Sequence, residues 1–238
     1  MLLCDINCDL GEGIGNDEAI MPFISSANIA CGFHAGNAIT MDQTISLAKR
    51  HGVAIGAHPS FYDRENFGRT EMQLPITEIY NLVQKQIQLL RTVAAKHEML
   101  LKHVKPHGAL YNMSAKNATI AQAIAQAVKE DDPNLVIFGL SGSHSVKEAL
   151  RLGLKTCSEV FADRTYQDDG SLTPRSQPNA LIHNTEQAVA QTLQMIQQKT
   201  VNSVSGKAIP IIAETICIHG DNNEAVAFAK AINEALRK

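Results

Sequence analysis

Short apolar runs rich in Ile, Val and Ala alternate with longer amphipathic segments along the whole chain, and that alternation restricts the fold to a parallel sheet or barrel of βα units. Seven strand candidates stand out: Leu3–Asp9, Ala27–Cys31, Val53–Ala57, Leu100–Lys105, Leu135–Gly139, Lys155–Val160 and Ile211–Ile218. Between and after them, Met41–His51, Ile76–Lys96, Thr119–Glu130, Ser145–Leu152, Thr185–Lys199 and Glu224–Leu236 follow the helical period. Helix starts are signalled at Pro75 or Thr77, Asn117, Asn184/Thr185 and Asp221/Asn222. With no linker-like run or internal repeat, residues 1–238 read as one α/β domain.

The chemistry-bearing residues collect after strands rather than scattering over helices. Asp5–Glu12, Asn28–Gly36, Gly56–Ser60, Lys105–Asn112, Glu159–Arg164 and His219–Asp221 all occupy that position. In parallel α/β folds the carboxyl ends of strands converge on one crevice, so these segments are expected to meet in space. On the first strand the two-residue period puts Asp5, Asn7 and Asp9 on one face and Cys4, Ile6 and Cys8 on the other. On the fourth, His103, Lys105 and His107 share a face. Polar groups aimed into a barrel are costly unless paired or functional, and the competing explanation is a solvated edge strand. Two long aperiodic segments, Ser60–Leu74 and Ala162–Pro178, also follow strands, where active-site loops belong.

Composition narrows the function. A net charge of -3 with no Lys/Arg-rich block gives no footprint for nucleic acid or an anionic membrane, which leaves small-molecule chemistry. The first residues reach Asp5 before an apolar core of a signal peptide could form, and the five cysteines are odd in number and set among apolar residues. Both features point to reduced thiols in a cytoplasmic protein. Gly206-Lys207 is followed by Ala208 and lacks the upstream glycine of a phosphate-binding loop; a G-x-S-x-G nucleophile elbow is likewise missing. His51, His97, His144 and His183 lie on helices or their edges and read as ordinary surface or core residues. His34, His58, His107 and His219 sit at strand-to-loop transitions beside Gly, Ala or Pro. Asp9 with one or two of them, His34 and His58 first, could hold a divalent metal.

The six blocks, with Phe67-Gly68-Arg69, Asp169-Gly170 and Arg175, occur in order over nearly the whole chain and resemble the signature segments of the LamB/YcsF family. The resemblance implies a distorted seven-stranded TIM-like β/α barrel of the glycoside hydrolase/deacetylase type. It also implies the A component of an ATP-dependent 5-oxoprolinase, which opens the lactam of 5-oxo-L-proline to L-glutamate with partner subunits B and C. Asn37 stands where many relatives carry Asp, and either caps a helix.

Lactam opening needs a base for water, an electrophile for the amide oxygen and an acid for the leaving nitrogen. Asp9 or His58 is the candidate base, Lys105 the electrophile, and His107 or Asp163 the acid. Lys105 has a rival role, neutralising Asp9 or Glu159 as a buried ion pair. Arg69 or Arg164 suits the substrate carboxylate, with Asn7, Glu12, Asn28 and His219 as further binding residues. Without a phosphate loop here, ATP would be used on a partner chain. A stand-alone metal-dependent amide or ester hydrolase and a non-catalytic binding barrel are the alternatives.

Overall fold

In the computed structural model, which describes residues 4–220 and 224–237, seven parallel strands close into a barrel. They are β1 (Asp5–Leu10), β2 (Ser26–Ala30), β3 (Ala54–His58), β4 (Leu101–Val104), β5 (Val136–Leu140), β6 (Lys155–Phe161) and β9 (Thr215–His219). The neighbours follow chain order, and β9 closes the ring by pairing with both β6 and β1. A short antiparallel hairpin, β7 (Thr200–Asn202) with β8 (Ala208–Pro210), stands apart from the barrel.

The helices are α1 (Asp17–Ile20), α2 (Ala38–His51), α3 (Ile76–Lys96), α4 (Gly108–Lys116), α5 (Ala118–Asp131), α6 (His144–Arg151), α7 (Thr185–Gln197) and α8 (Ala225–Leu236). Their apolar stripes pack on the outer faces of the strands. Ile6, Ile29 and Ile55 from the sheet and Ile45, Val83, Leu90 and Phe228 from the helices belong to one fully buried cluster. Asn37 begins α2 with a reciprocal cap: its side chain accepts from the Ile39 and Thr40 amides, and Thr40 Oγ1 accepts from the Asn37 amide. Asn117 and Asn184 cap α5 and α7 through their side-chain oxygens, while α3 begins after Pro75 with no side-chain cap.

Six strands and six helices lie within three residues of their sequence-expected bounds, and the departures are local. The expected last strand began at Ile211, yet Ile211–Glu214 is irregular: the Ile211 amide donates to Lys199 O beside the hairpin, and Ile212 to Ser141 Oγ. Helix α4 was missed because Gly-Ala-Leu-Tyr-Asn follows His107 without a capping side chain. Leu3 of the first expected strand and Asp221/Asn222 before the last helix lie outside the described residues. No helix among the described residues is long and apolar enough to cross a membrane, and all five cysteines are free thiols.

Candidate active site at the barrel mouth

Inside the barrel, side chains from successive strands form one polar network. Near its base, Asp5 accepts from Ser25, Ser26 and Thr215 hydroxyls. Thr215 Oγ1 also accepts from Asn7 Nδ2 at 2.7 Å, and Asn28 Nδ2 donates to Asn7 Oδ1 at 2.7 Å and Asp9 Oδ1 at 2.8 Å. His103 Nε2 donates to Asn28 Oδ1 at 2.7 Å, its ring stacked on Phe138. Burial and the nearby ammonium of Lys105 push His103 down to about 3, so it stays neutral.

Lys105 stands at the centre, 2% exposed. Its ammonium lies 2.8 Å from Asp9 Oδ1, 2.8 Å from Glu159 Oε1, 3.2 Å from Asn7 Oδ1 and 3.0 Å from Cys217 Sγ. Burial alone would lower its pKa, but Asp9 and Glu159 hold it well above the ordinary lysine value. Burial would likewise raise the Asp9 carboxyl, and the adjacent His58 with the ammonium of Lys105 holds it well below the usual range instead. Both members of the pair are therefore ionised.

Above this layer the loops take over. Beyond β4 the backbone ladder continues, with the Lys105 amide donating to Ala57 O and the His107 amide to Pro59 O. This brings His58 and His107 together: His58 Nε2 lies 2.9 Å from His107 Nδ1 and 3.3 Å from Asp9 Oδ2. His34 stacks on His107 with centroids 3.8 Å apart and meets Glu12 Oε1 at 3.2 Å. Burial and the adjacent imidazoles hold His34 and His107 well below the ordinary histidine value. Across the mouth, Asp163 accepts from both the amide and Nδ1 of His219, which fixes that ring's tautomer; burial opposes ionisation of Asp163, but His219 keeps its carboxyl low.

The 60–74 loop is clamped onto this assembly. Gln86 of α3 exchanges hydrogen bonds with the Ser60 amide and carbonyl, and Arg64 donates to Gly32 O and Gly36 O. Phe67 is held at φ 56, in the left-handed region a non-glycine residue seldom adopts, and its carbonyl accepts from His107 Nε2 at 2.8 Å. A Cβ on Gly68 would stand 2.3 Å from Ser60 Oγ and 2.9 Å from His107 Cδ2, and one on Gly108 would stand 2.4 Å from Gly68 O. Only glycine lets the loop and the start of α4 touch.

These elements enclose a cavity of about 650 Å³ lined by Asp9, His58, Lys105, His107 and His219 from the strand ends and by Arg69, Arg164 and Arg175 from the loops. The residues expected to share a crevice thus meet, with differences in detail. Glu12, expected to bind substrate, sits with His34, His58 and His107, whereas Asp9 groups with Cys217 and His219. Arg164 is buried and donates to Thr173 O and Ala180 O, pinning the 162–181 loop. Cys217 and Tyr111, also at the site, carried no signal in the sequence beyond lying in a strand and in a motif; His144, read as ordinary, borders the cavity.

A closed parallel β/α barrel with carboxylates, imidazoles and a lysine gathered at the carboxyl ends of its strands is a TIM-like barrel, a class whose functional sites lie at that face. The chain belongs to the LamB/YcsF family, whose model matches residues 4–238. It is similar to the crystal structure of a lactam utilization protein from Thermus thermophilus, at 41% identity over 98% of this chain and 96% of that one, with a TM-score of 0.91. A protein from Enterococcus faecalis named for cellobiose-phosphate cleavage shares the fold at 15% identity over 98% and 93% of the two chains, TM-score 0.59.

Proposed function

We propose that this chain is the lactam-handling A subunit of an ATP-dependent 5-oxoprolinase, converting 5-oxo-L-proline to L-glutamate together with B and C subunits. Membership of the LamB/YcsF family and the full-length likeness to a lactam utilization protein support the reaction class. The observation that carries the reading is the combination of an ionised Asp9 beside His58 in the cavity with a lining rich in Arg and Lys. Lys116, Lys147 and Arg175 outnumber Glu71 and Asp169 in that lining, which suits an anionic substrate.

In this reading Asp9 takes the proton of the attacking water. Lys105 and Asn28 hold its Oδ1, leaving Oδ2 beside His58. Lys105, already engaged by two carboxylates, is a positioning residue that keeps Asp9 ionised rather than a partner of the substrate carbonyl. Asp163 is a poor acid because it stays ionised, and the role passes to the His219 imidazolium: Asp163 holds its Nδ1–H, and its Nε2–H goes to the leaving nitrogen. Arg69 takes the substrate carboxylate, since Arg164 is committed to loop carbonyls. ATP is used on a partner chain.

Reconstitution tests the reading. The purified chain alone should hydrolyse no ATP; with B and C subunits it should support 5-oxoproline-dependent ATP hydrolysis with release of glutamate, lost in Asp9→Asn. Strong ATPase activity of the isolated chain, or no lactam opening with all subunits present, would refute it. Hydrolysis of simple amides or esters by the chain alone would favour a stand-alone hydrolase.

A further inference from the structure

The histidines on the cavity wall are held in defined tautomers. A carbonyl oxygen only accepts, so the 2.7 Å contact with Lys105 O puts a proton on His58 Nδ1, and the 2.8 Å contact with Phe67 O puts one on His107 Nε2. Each neutral ring keeps its lone pair on the other nitrogen. Those nitrogens, His58 Nε2 and His107 Nδ1, face each other at 2.9 Å. Two lone pairs at that distance repel unless a cation is shared between them. Glu12 Oε1 lies 3.6 Å from His107 Nδ1, and the three residues' ligand atoms are within 4.8 Å of one another.

We propose that His58 Nε2, His107 Nδ1 and the Glu12 carboxylate bind one divalent transition-metal ion of the zinc class, with a further position open to the cavity. Ligands about 2.0–2.1 Å from a tetrahedral ion stand roughly 3.3 Å apart, a value the 2.9 and 3.6 Å separations bracket. Two imidazoles with one carboxylate form a donor set used by catalytic zinc. Both distal nitrogens donate to main-chain carbonyls, the support that fixes ligating imidazoles, and the Phe67 carbonyl is delivered by a strained residue. His34 is a positioning residue rather than a ligand. Its ring plane lies within 7° of that of His107 at 3.8 Å, so the two planes do not meet at one ion, and its Nε2 donates to Glu12 Oε1. The competing cation is a proton shared by the two rings, with the Asp9 carboxylate 3.3 Å from His58 Nε2 as its counter-charge, and metal retention separates the two. A bound ion would supply a water of lowered pKa beside Asp9.

The inference stands independently of the lactam reading, because the ion is measured without substrate. Chelator-stripped protein is dialysed against zinc(II) and, separately, cobalt(II), then freed of excess metal and assayed by elemental analysis. The expected result is one equivalent per chain, a higher melting temperature with metal, and cobalt absorption lacking a thiolate charge-transfer band. Glu12→Gln and His107→Gln, checked for native circular dichroism, should lose stoichiometric retention, and His34→Gln should weaken it about tenfold. Glu12→Gln preserves side-chain shape and keeps the test open if the histidine variant unfolds. Folded wild-type protein that retains no metal, retention through cysteines, or full retention in Glu12→Gln overturns the proposal.

Discussion

The two faces of the barrel strands are built on different rules. Outside, Ile6, Ile29, Ile45 and Phe228 fill space between strands and helices, and any apolar group of similar volume serves. Inside, Asn7, Asp9, Asn28, His103, Lys105 and Glu159 are equally buried, but each is fixed by the identity of its partner. The outer layer is tolerant and cohesive; the inner one is specific, and a single deletion there strands a charge.

Lys105→Ala makes the sharpest break. It leaves Asp9 and Glu159 buried without their counter-ion, and a loss of about 3–5 kcal/mol in denaturant unfolding is expected. A variant of unchanged stability but lost turnover would instead make Lys105 a direct participant in the chemistry. On the other face, Ile45→Ala should cost about 2–4 kcal/mol, while Ile45→Val stays near ~1 kcal/mol, a graded response to volume that the interior should not show.

Acid should separate the faces further. Because His103 titrates at about 3 in the fold against 6.5 in the free side chain, the unfolded chain takes up a proton that the native state refuses. Stability present above pH 6.5 is then lost progressively as pH falls toward 3, amounting to about 2 kcal/mol between roughly pH 7 and 5. His103→Gln can still donate to Asn28 but cannot titrate, and its stability should fall by that much less over the same interval; an unchanged slope would exclude His103 as the source. The smallest effect belongs to a surface cap. Asn37→Ala should cost about 1 kcal/mol and Asn37→Asp almost nothing, measured by thermal melts.

The same contrast explains what the sequence disclosed. Alternation along Asp5–Asp9 displayed the inward polar face because each position obeys a two-residue period, and the strand ends stood out because polar residues cluster there. Which of those residues touch was hidden, since it depends on barrel register: Lys105 meets Glu159 and Cys217 across strands far away in the chain. That Glu12 folds back toward His34 was hidden too, because nothing in a loop sequence reports it. The carbonyls that Arg164 satisfies were hidden likewise, since they belong to its own loop.

Closure by β9 has a consequence for how the molecule is made. Asn7 waits for Thr215, 208 residues later, and Lys105 for Cys217, 112 residues later. A chain emerging from the ribosome thus carries its charged interior unassembled until almost the last helix has been synthesised, and the ring shuts only once the whole order of strands is in place. Truncation before Thr215 removes the strand that joins β6 to β1, and what remains is an open sheet with two unpaired edges and a lysine and two carboxylates facing water.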